Sequence, residues 1–218
     1  MRFRDRTEAG QMLAKKLARY ANRTDVLVLA LPRGGVPVGY EVAQAINVPL
    51  DVFVVRKLGV PGHEELAMGA IASGGVRVLN RSVVEGSQIS DAVIDAVAAR
   101  EMRELERRER AYRGDRPMPA AQGCTVILVD DGIATGATMR AAVQALRQLE
   151  AGRIVVATPT AALSTAQEMR ADVDEFVAVM TPVDFAGVGQ WYDNFSQTTD
   201  EEVRELLEKA SQLPRSTP

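Results

Sequence analysis

The sequence predicts an α/β fold, a mostly parallel sheet flanked by helices, followed by a C-terminal segment of different texture. Three observations carry that expectation. Residues 25–31, 50–55, 126–129, 154–158 and 175–180 are short runs of mostly β-branched and aliphatic residues, the texture of strands buried on both faces. Segments with helical periodicity lie between most of these runs, which is the alternation of a parallel sheet built by βαβ crossovers. Residues 181–218 then change texture, opening with an irregular stretch that concentrates aromatics in a chain only 5% aromatic.

Composition narrows the function classes. At 218 residues the chain fits one domain, divided here into a core over 1–180 and a C-terminal segment with a final helix over 181–218. Hydrophobic residues make up 46% and charged residues 25%, a globular balance. The net charge of −3 and a pI near 5.4 argue against a nucleic-acid binder. A lone Cys124 and a lone His63 exclude an internal disulfide and a Cys/His zinc site. No apolar run of about 18 residues suggests a membrane span, and the first residues lead into no signal-peptide core, so a cytoplasmic protein is expected.

In chain order, residues 5–21 read as a helix that covers the sheet. Asp5 with Glu8 resembles a capping box, and Ala9, Met12, Leu13, Leu17 and Tyr20 form its apolar stripe. Strand 25–31 ends in Pro32-Arg33-Gly34-Gly35, and residues 36–46 read as a helix. Gly34 and Gly39 have the spacing of a P-loop, but Tyr40 and Glu41 replace its Lys and Ser/Thr. What remains is a turn that exposes backbone N–H groups beside one arginine. Strand 50–55 ends in Arg56-Lys57, two cations at the expected ligand edge.

Glycine and proline make residues 59–65 a loop. It carries His63, Glu64 and Glu65, each a candidate for proton transfer or a solvated loop residue. Residues 67–72 and 76–79 flank Ser73-Gly74-Gly75 as a hairpin. The longest helical pattern is 90–113, with Ser90 as its cap and Ile94, Val97, Ala98, Met102, Leu105 and Tyr112 on one face. Its remaining charges alternate in sign, which favours i,i+4 pairing. The narrow stripe suits packing within the chain or against a second subunit, so a homo-oligomer stays open. Residues 113–119 are a turn-rich connector, Gly152 stops the helix begun at Met139, and residues 162–170 form another. Thr199 with Glu202 starts a last helix whose Val203, Leu206, Leu207 and Ala210 face inward, and the tail from Leu213 is expected to fray.

One stretch carries the chemistry. Val126-Ile127-Leu128-Val129 runs into Asp130-Asp131, then Gly132-Ile133 and the loop Ala134-Thr135-Gly136-Ala137-Thr138 before a helix. Ligands of open α/β sheets bind outside the carboxyl ends of the strands, where the two acids stand. A loop that opens a helix presents N–H groups and the positive end of the dipole to an anion. An acid pair beside an anion cradle suits a ligand with vicinal hydroxyls and a phosphate, such as a ribose 5-phosphate. An ordinary βα connection with capping aspartates is the alternative.

The whole thirteen-residue pattern resembles the 5-phosphoribosyl 1-pyrophosphate (PRPP) signature of the type I phosphoribosyltransferases. Gly132 departs from it, standing where that family usually has an apolar or hydroxyl residue. The resemblance implies transfer of ribose 5-phosphate from PRPP to a nitrogenous base or related small-molecule acceptor, with release of pyrophosphate, in nucleotide salvage. It also implies Mg2+, held mainly through PRPP oxygens and water rather than by protein ligands. Asp130 and Asp131 would hold the ribose hydroxyls and stabilise charge at the anomeric carbon. Ala134, Thr135, Gly136, Ala137 and Thr138 would hold the 5-phosphate, and Arg33, Gly34 and Lys57 the pyrophosphate, with Lys57 preceding a flexible lid near 58–75. Asp130, Asp131 and Lys57 are thus the catalytic candidates. Residues 181–218 would form a small C-terminal hood, an aromatic ring of which would stack on the acceptor; Phe185, Trp191, Tyr192 and Phe195 are available, with Trp191 and Tyr192 favoured. Ala134 stands where hypoxanthine-guanine enzymes carry a proton-accepting aspartate and looks adenine-type, whereas Arg33-Gly34-Gly35 looks xanthine-guanine-type. The acceptor is therefore undetermined. Two other readings stay open, a non-catalytic PRPP-sensing regulator and a different α/β enzyme acting on phosphorylated sugars. Serine-hydrolase chemistry is weaker, since no Gly-x-Ser-x-Gly is present.

Overall fold

The computed structural model describes residues 1–212, and the tail from Leu213 lies outside the described residues. Five parallel strands form the central sheet in the order β2-β1-β6-β7-β8: Leu50–Val52, Val26–Ala30, Thr125–Val129, Arg153–Thr160 and Glu175–Met180. The register places Ala30 beside Val52 and Val129, and Val129 beside Ala157. The carboxyl ends of β2, β1 and β6 therefore finish flush while β7 runs on to Thr160, and the loops that follow them share one edge.

Apart from Thr125, the apolarity of β1 and β6 has the expected cause, since every residue of both is buried. Alternate residues face opposite layers. Val26, Val28, Ile127 and Val129 pack beneath α1 (Arg6–Lys16) and α2 (Gly35–Ile46). Leu27, Leu29, Val126 and Leu128 pack against Met139, Ala142, Val143 and Leu146 of α5 (Ala137–Gln148) and Met169 of α6 (Leu163–Asp172). β8 departs from the expectation of a buried strand. It is the sheet edge and is half-buried throughout.

A second, three-stranded antiparallel sheet is built from β3 (Val55–Val60), β4 (His63–Ala72) and β5 (Val76–Leu79). Two expectations change here. The apolar run 50–55 is not one strand: Phe53 N–H still donates to Ala30 O at 2.9 Å, but Val54 is taken by Ser73. The Ser73 hydroxyl accepts from Val54 N at 2.9 Å and Ser73 N–H donates to Val54 O at 2.9 Å. That reciprocal pair turns the chain off the main sheet, so Arg56 and Lys57 stand on the small sheet instead of at a main-sheet strand end. Residues 59–65, expected as a loop, form the outer end of the β3–β4 hairpin, closed by Pro61-Gly62 with Gly62 at φ +80°. Glycine and proline mark only its turn. The hairpin about Ser73-Gly74-Gly75 is present as expected.

The long helix α4 (Asp91–Arg113) buries Ile94, Val97, Ala98 and Leu105 within the chain, against Leu58, Met68 and Ile71 of the small sheet and Val203 and Leu207 of α7 (Asp200–Ser211). The apolar stripe is thus used internally. Glu101 on this face receives Arg56 at 2.6 Å and 3.0 Å, and Arg113 at its end holds Asp51 at 3.1 Å and the carbonyl of Val52 at 2.9 Å. A short helix α3 (Arg81–Gly86) links β5 to α4. Asp5 caps α1 by accepting from Glu8 N–H at 2.9 Å, but Glu8 turns back to Arg4 N, one residue before the cap, so the box is not closed. The box at Thr199 and Glu202 is closed. No helix among the described residues is long and apolar enough to cross a membrane.

Candidate functional site

The site stands on the flush edge, after β1 and β6. Asp130 leaves β6, and its carboxylate accepts the N–H of Asp131 at 2.8 Å. The Asp131 carboxylate turns toward the first helix, where Arg6 Nε donates to it at 2.8 Å. Only 12% and 13% of the Arg6 and Asp131 side chains are exposed. Burial pushes the Asp130 carboxyl well above the ordinary carboxylate range, and the neighbouring Asp131 charge adds to the rise. Asp131 is also raised by burial, with Arg6 opposing. The pair titrates as a unit whose two carboxyls resist being ionised together.

The turn after β1 meets these acids directly. Gly34 lies so close that an added Cβ would stand 2.0 Å from Asp131 Oδ2, and one on Gly35 would stand 2.7 Å from the carbonyl of Val129. The glycines therefore let α2 begin against the acid pair. The Pro32–Arg33 peptide is cis. Arg33 points toward the start of α7, with Nη1 3.8 Å from Asp200, whose carboxylate also accepts the Tyr112 hydroxyl at 2.9 Å.

On the other side of the acids, residues 134–138 form the turn that opens α5. Gly136 has φ +74°, and a Cβ there would meet Met169 and Thr165 at 2.9 Å. The loop is held from behind: Thr165 Oγ1 donates to Ala134 O at 2.6 Å and Arg140 Nη1 to Thr135 O at 2.7 Å. Among the described residues, the N–H groups of Ala134, Thr135 and Gly136 donate to no backbone or side-chain oxygen. Ala134, Thr135 and Ala137 are exposed and Thr138 is half-buried. Carbonyls held and amides free is the arrangement of an anion cradle.

Residues 5–189 match the family described as the phosphoribosyl transferase domain. The chain belongs to the type I phosphoribosyltransferase family. Two Mycobacterium tuberculosis proteins, from strains CDC 1551 / Oshkosh and ATCC 25618 / H37Rv, carry a provisional phosphoribosyl transferase name and are each 47% identical over 208 residues. The match takes in 95% of this chain and 47% of each of those proteins, so the chain spans about half the length of the curated relatives it matches. The crystal structure of the Thermus thermophilus protein TT1426 is similar over 96% of this chain and 99% of that one, at 43% identity and a TM-score of 0.84.

Asp130, Asp131, Arg33, Gly34 and the 134–138 loop share one edge. Lys57 arrives from another direction. It lines a cleft of about 610 Å³ between the small sheet and α5, together with Asn80, Arg81, Ala137 and Arg140. It therefore stands beside the 134–138 turn, and Arg56 is engaged by Glu101. His63, Glu64 and Glu65 are exposed near the hairpin tip.

The hood is packed differently from a row of open rings. Tyr192 is 1% exposed, with Phe3 at 5.4 Å on one side and Phe195 at 5.0 Å on the other, and its hydroxyl donates to the carbonyl of Asp131 at 2.6 Å. Trp191 is half-buried and stacks on Phe185 at 6.2 Å. Phe195 covers Arg6, with 4.1 Å between guanidinium carbon and ring centre. Val188 fills the place where a side chain at position 132 would stand, since a Cβ on Gly132 would lie 2.3 Å from Val188 Cγ1. That contact accounts for the departure from the signature. Arg6 and Asp200 were not legible in the sequence, because each reaches its partner across the fold from a helix start that reads as solvated.

Among the described residues no group of three or more His, Cys, Asp and Glu side chains could hold a metal ion. The acids present are engaged with Arg6 and with backbone.

Proposed function

We propose that the protein binds PRPP and transfers its ribosyl 5-phosphate to a nitrogen nucleophile, releasing pyrophosphate. The observation that carries this reading is the meeting, on one sheet edge, of the acid pair with two glycine-bearing helix starts, one on each side. The 134–138 turn offers free N–H groups and threonine hydroxyls to the 5-phosphate. Asp130 and Asp131 face the ribose hydroxyls. Arg33, the Gly34 turn and Lys57 receive the pyrophosphate. In the transfer, the bond from the anomeric carbon to the pyrophosphate oxygen breaks and a bond to the acceptor nitrogen forms, while a proton leaves the acceptor. Negative charge develops on the leaving group, and the cations and the α2 N-terminus stabilise it. Positive charge develops on the ribosyl carbon, opposite the carboxylates. Mg2+, carried by PRPP oxygens and water, would neutralise diphosphate charge.

The acceptor class is a nitrogenous base or a related small molecule, and position 134 offers it no carboxylate. Mass spectrometry of reactions containing PRPP, magnesium and a panel of nucleobases, with pyrophosphate as a second readout, tests the reading. A ribosylated product with stoichiometric pyrophosphate is expected. PRPP binding without turnover on any acceptor would instead favour a sensing role. No PRPP binding, with binding of another sugar phosphate, would favour a different enzyme.

A further inference from the structure

Arg6 lies 125 residues from the acid pair in sequence and outside the signature, yet it is built into the site. Its Nε holds Asp131 Oδ2 at 2.8 Å, and its Nη1 donates to the Ser196 carbonyl at 2.7 Å. The Phe195 ring lies over its guanidinium at 4.1 Å. The oxygen it holds is the one that a Cβ on Gly34 would strike. Asp131 is thus pinned between Arg6 and the glycine turn, while its own carbonyl is held by Tyr192. Together these Arg6 contacts join the hood to the acid pair, and none of the partners is a candidate phosphate ligand.

We propose that Arg6 is a positioning residue for the donor site: it sets the Asp131 carboxylate against the Gly34 turn before substrate arrives, and the hood residues Phe195 and Ser196 hold it there. This rests on the donor reading above. A planar fork is suited to the task, because it serves a carboxylate and a carbonyl at once while its face packs on a ring. A lysine offers one point charge and loses the second bond and the stacking. Since the partners of Arg6 are Asp131, Ser196 and Phe195, its loss is felt as disorder in a binding group that must be re-ordered when PRPP binds. Such a cost falls equally on the ground and transition states, and it appears in KM more than in kcat.

The test compares wild type, Arg6→Gln and Arg6→Lys in PRPP-dependent turnover, with PRPP calorimetry, circular dichroism and thermal unfolding on each. The expected result is a KM for PRPP raised by ~10-fold or more in Arg6→Gln with kcat changed by less than ~3-fold. Arg6→Lys should recover part of the KM. Wild-type kinetic constants in a folded Arg6→Gln would overturn the inference and leave the donor reading intact. So would a loss of kcat alone, or the unfolding of both variants, which would make the ion pair a folding element only. A wild-type protein that gives no calorimetric signal with PRPP would overturn both readings together.

Discussion

Gly34→Ala isolates a single contact. Gly34 has φ −61° and ψ −30°, a conformation in which alanine is at home, so the backbone raises no objection. The new methyl would stand 2.0 Å from Asp131 Oδ2 and 2.6 Å from its Cγ. Relief requires the carboxylate to retreat by about 1.4 Å to ordinary contact, and Arg6 blocks that retreat at 2.8 Å. Overpacking of this kind costs ~1–3 kcal/mol, offset by about 0.4–1 kcal/mol from the stiffer unfolded chain. The fold should therefore survive with a modestly lower Tm. Function should not, because a displacement near 1 Å of a positioned group costs roughly 100-fold. Calorimetry with PRPP and magnesium measures the affinity, and thermal unfolding the stability. In an Asp131→Ala background the methyl has nothing to strike, and Gly34→Ala should then be free of its stability cost. Unchanged PRPP affinity in the single variant, or an undiminished stability cost in the double variant, would refute the steric reasoning.

The other expectations follow from the same contacts. Asp130→Asn with Asp131→Asn should abolish PRPP-dependent turnover with the far-UV spectrum unchanged, and retained activity would remove the pair from the site. Asp130 alone gives a pH signature. Its folded pKa is raised, so the folded state binds more proton than the unfolded chain, and its contribution to stability falls as pH climbs from the unfolded value of 3.8 toward the folded one. Asp130→Asn should therefore raise Tm at neutral pH, by an amount that shrinks as pH nears 4, measured by calorimetric scans across pH. Arg56→Ala leaves Glu101, itself 7% exposed, without its 2.6 Å partner and should cost ~1–3 kcal/mol in denaturant unfolding; Lys57→Ala should leave stability alone and weaken PRPP. Gly136→Ala combines a positive φ with contacts at 2.9 Å and should lose ~2–4 kcal/mol along with affinity for ribose 5-phosphate.

Sequence reading succeeds where local chemistry and geometry coincide. The run from Val126 to Thr138 is strand, acid pair and helix-opening turn in consecutive residues, so its order along the chain is also its order in space. The Pro32-Arg33-Gly34-Gly35 turn is legible for the same reason. Local pattern fails where one distant bond decides. Residues 50–55 are almost uniformly apolar, and nothing in them announces that Ser73 will take Val54 and turn the chain. Glycine and proline in 59–65 mark a turn but say nothing of the strands on either side, whose pairing is set by register with residues 67–72. Gly132 reads as a flaw in the signature until Val188, from the hood, is placed against it. The aromatics of the hood are recognisable as a cluster, but only the fold shows that Tyr192 commits its hydroxyl to Asp131 and that Phe195 lies on Arg6.

The hood is stitched to the first residues of the chain. Phe3 N–H donates to Trp191 O at 2.8 Å, Asp193 N–H to Phe3 O at 2.8 Å and Asn194 N–H to Arg4 O at 2.9 Å, beside Arg6 on Asp131. Everything between these partners must be threaded before the bonds can close, and contacts of such sequence separation form slowly, after local ones. On a ribosome, strands β1 and β6 and both glycine turns emerge well before residues 191–196. Until those residues are present, Arg6 has neither its Ser196 carbonyl nor the Phe195 ring beside it. The full set of contacts that holds Arg6 on Asp131 is therefore completed late in the chain, by Phe195 and Ser196.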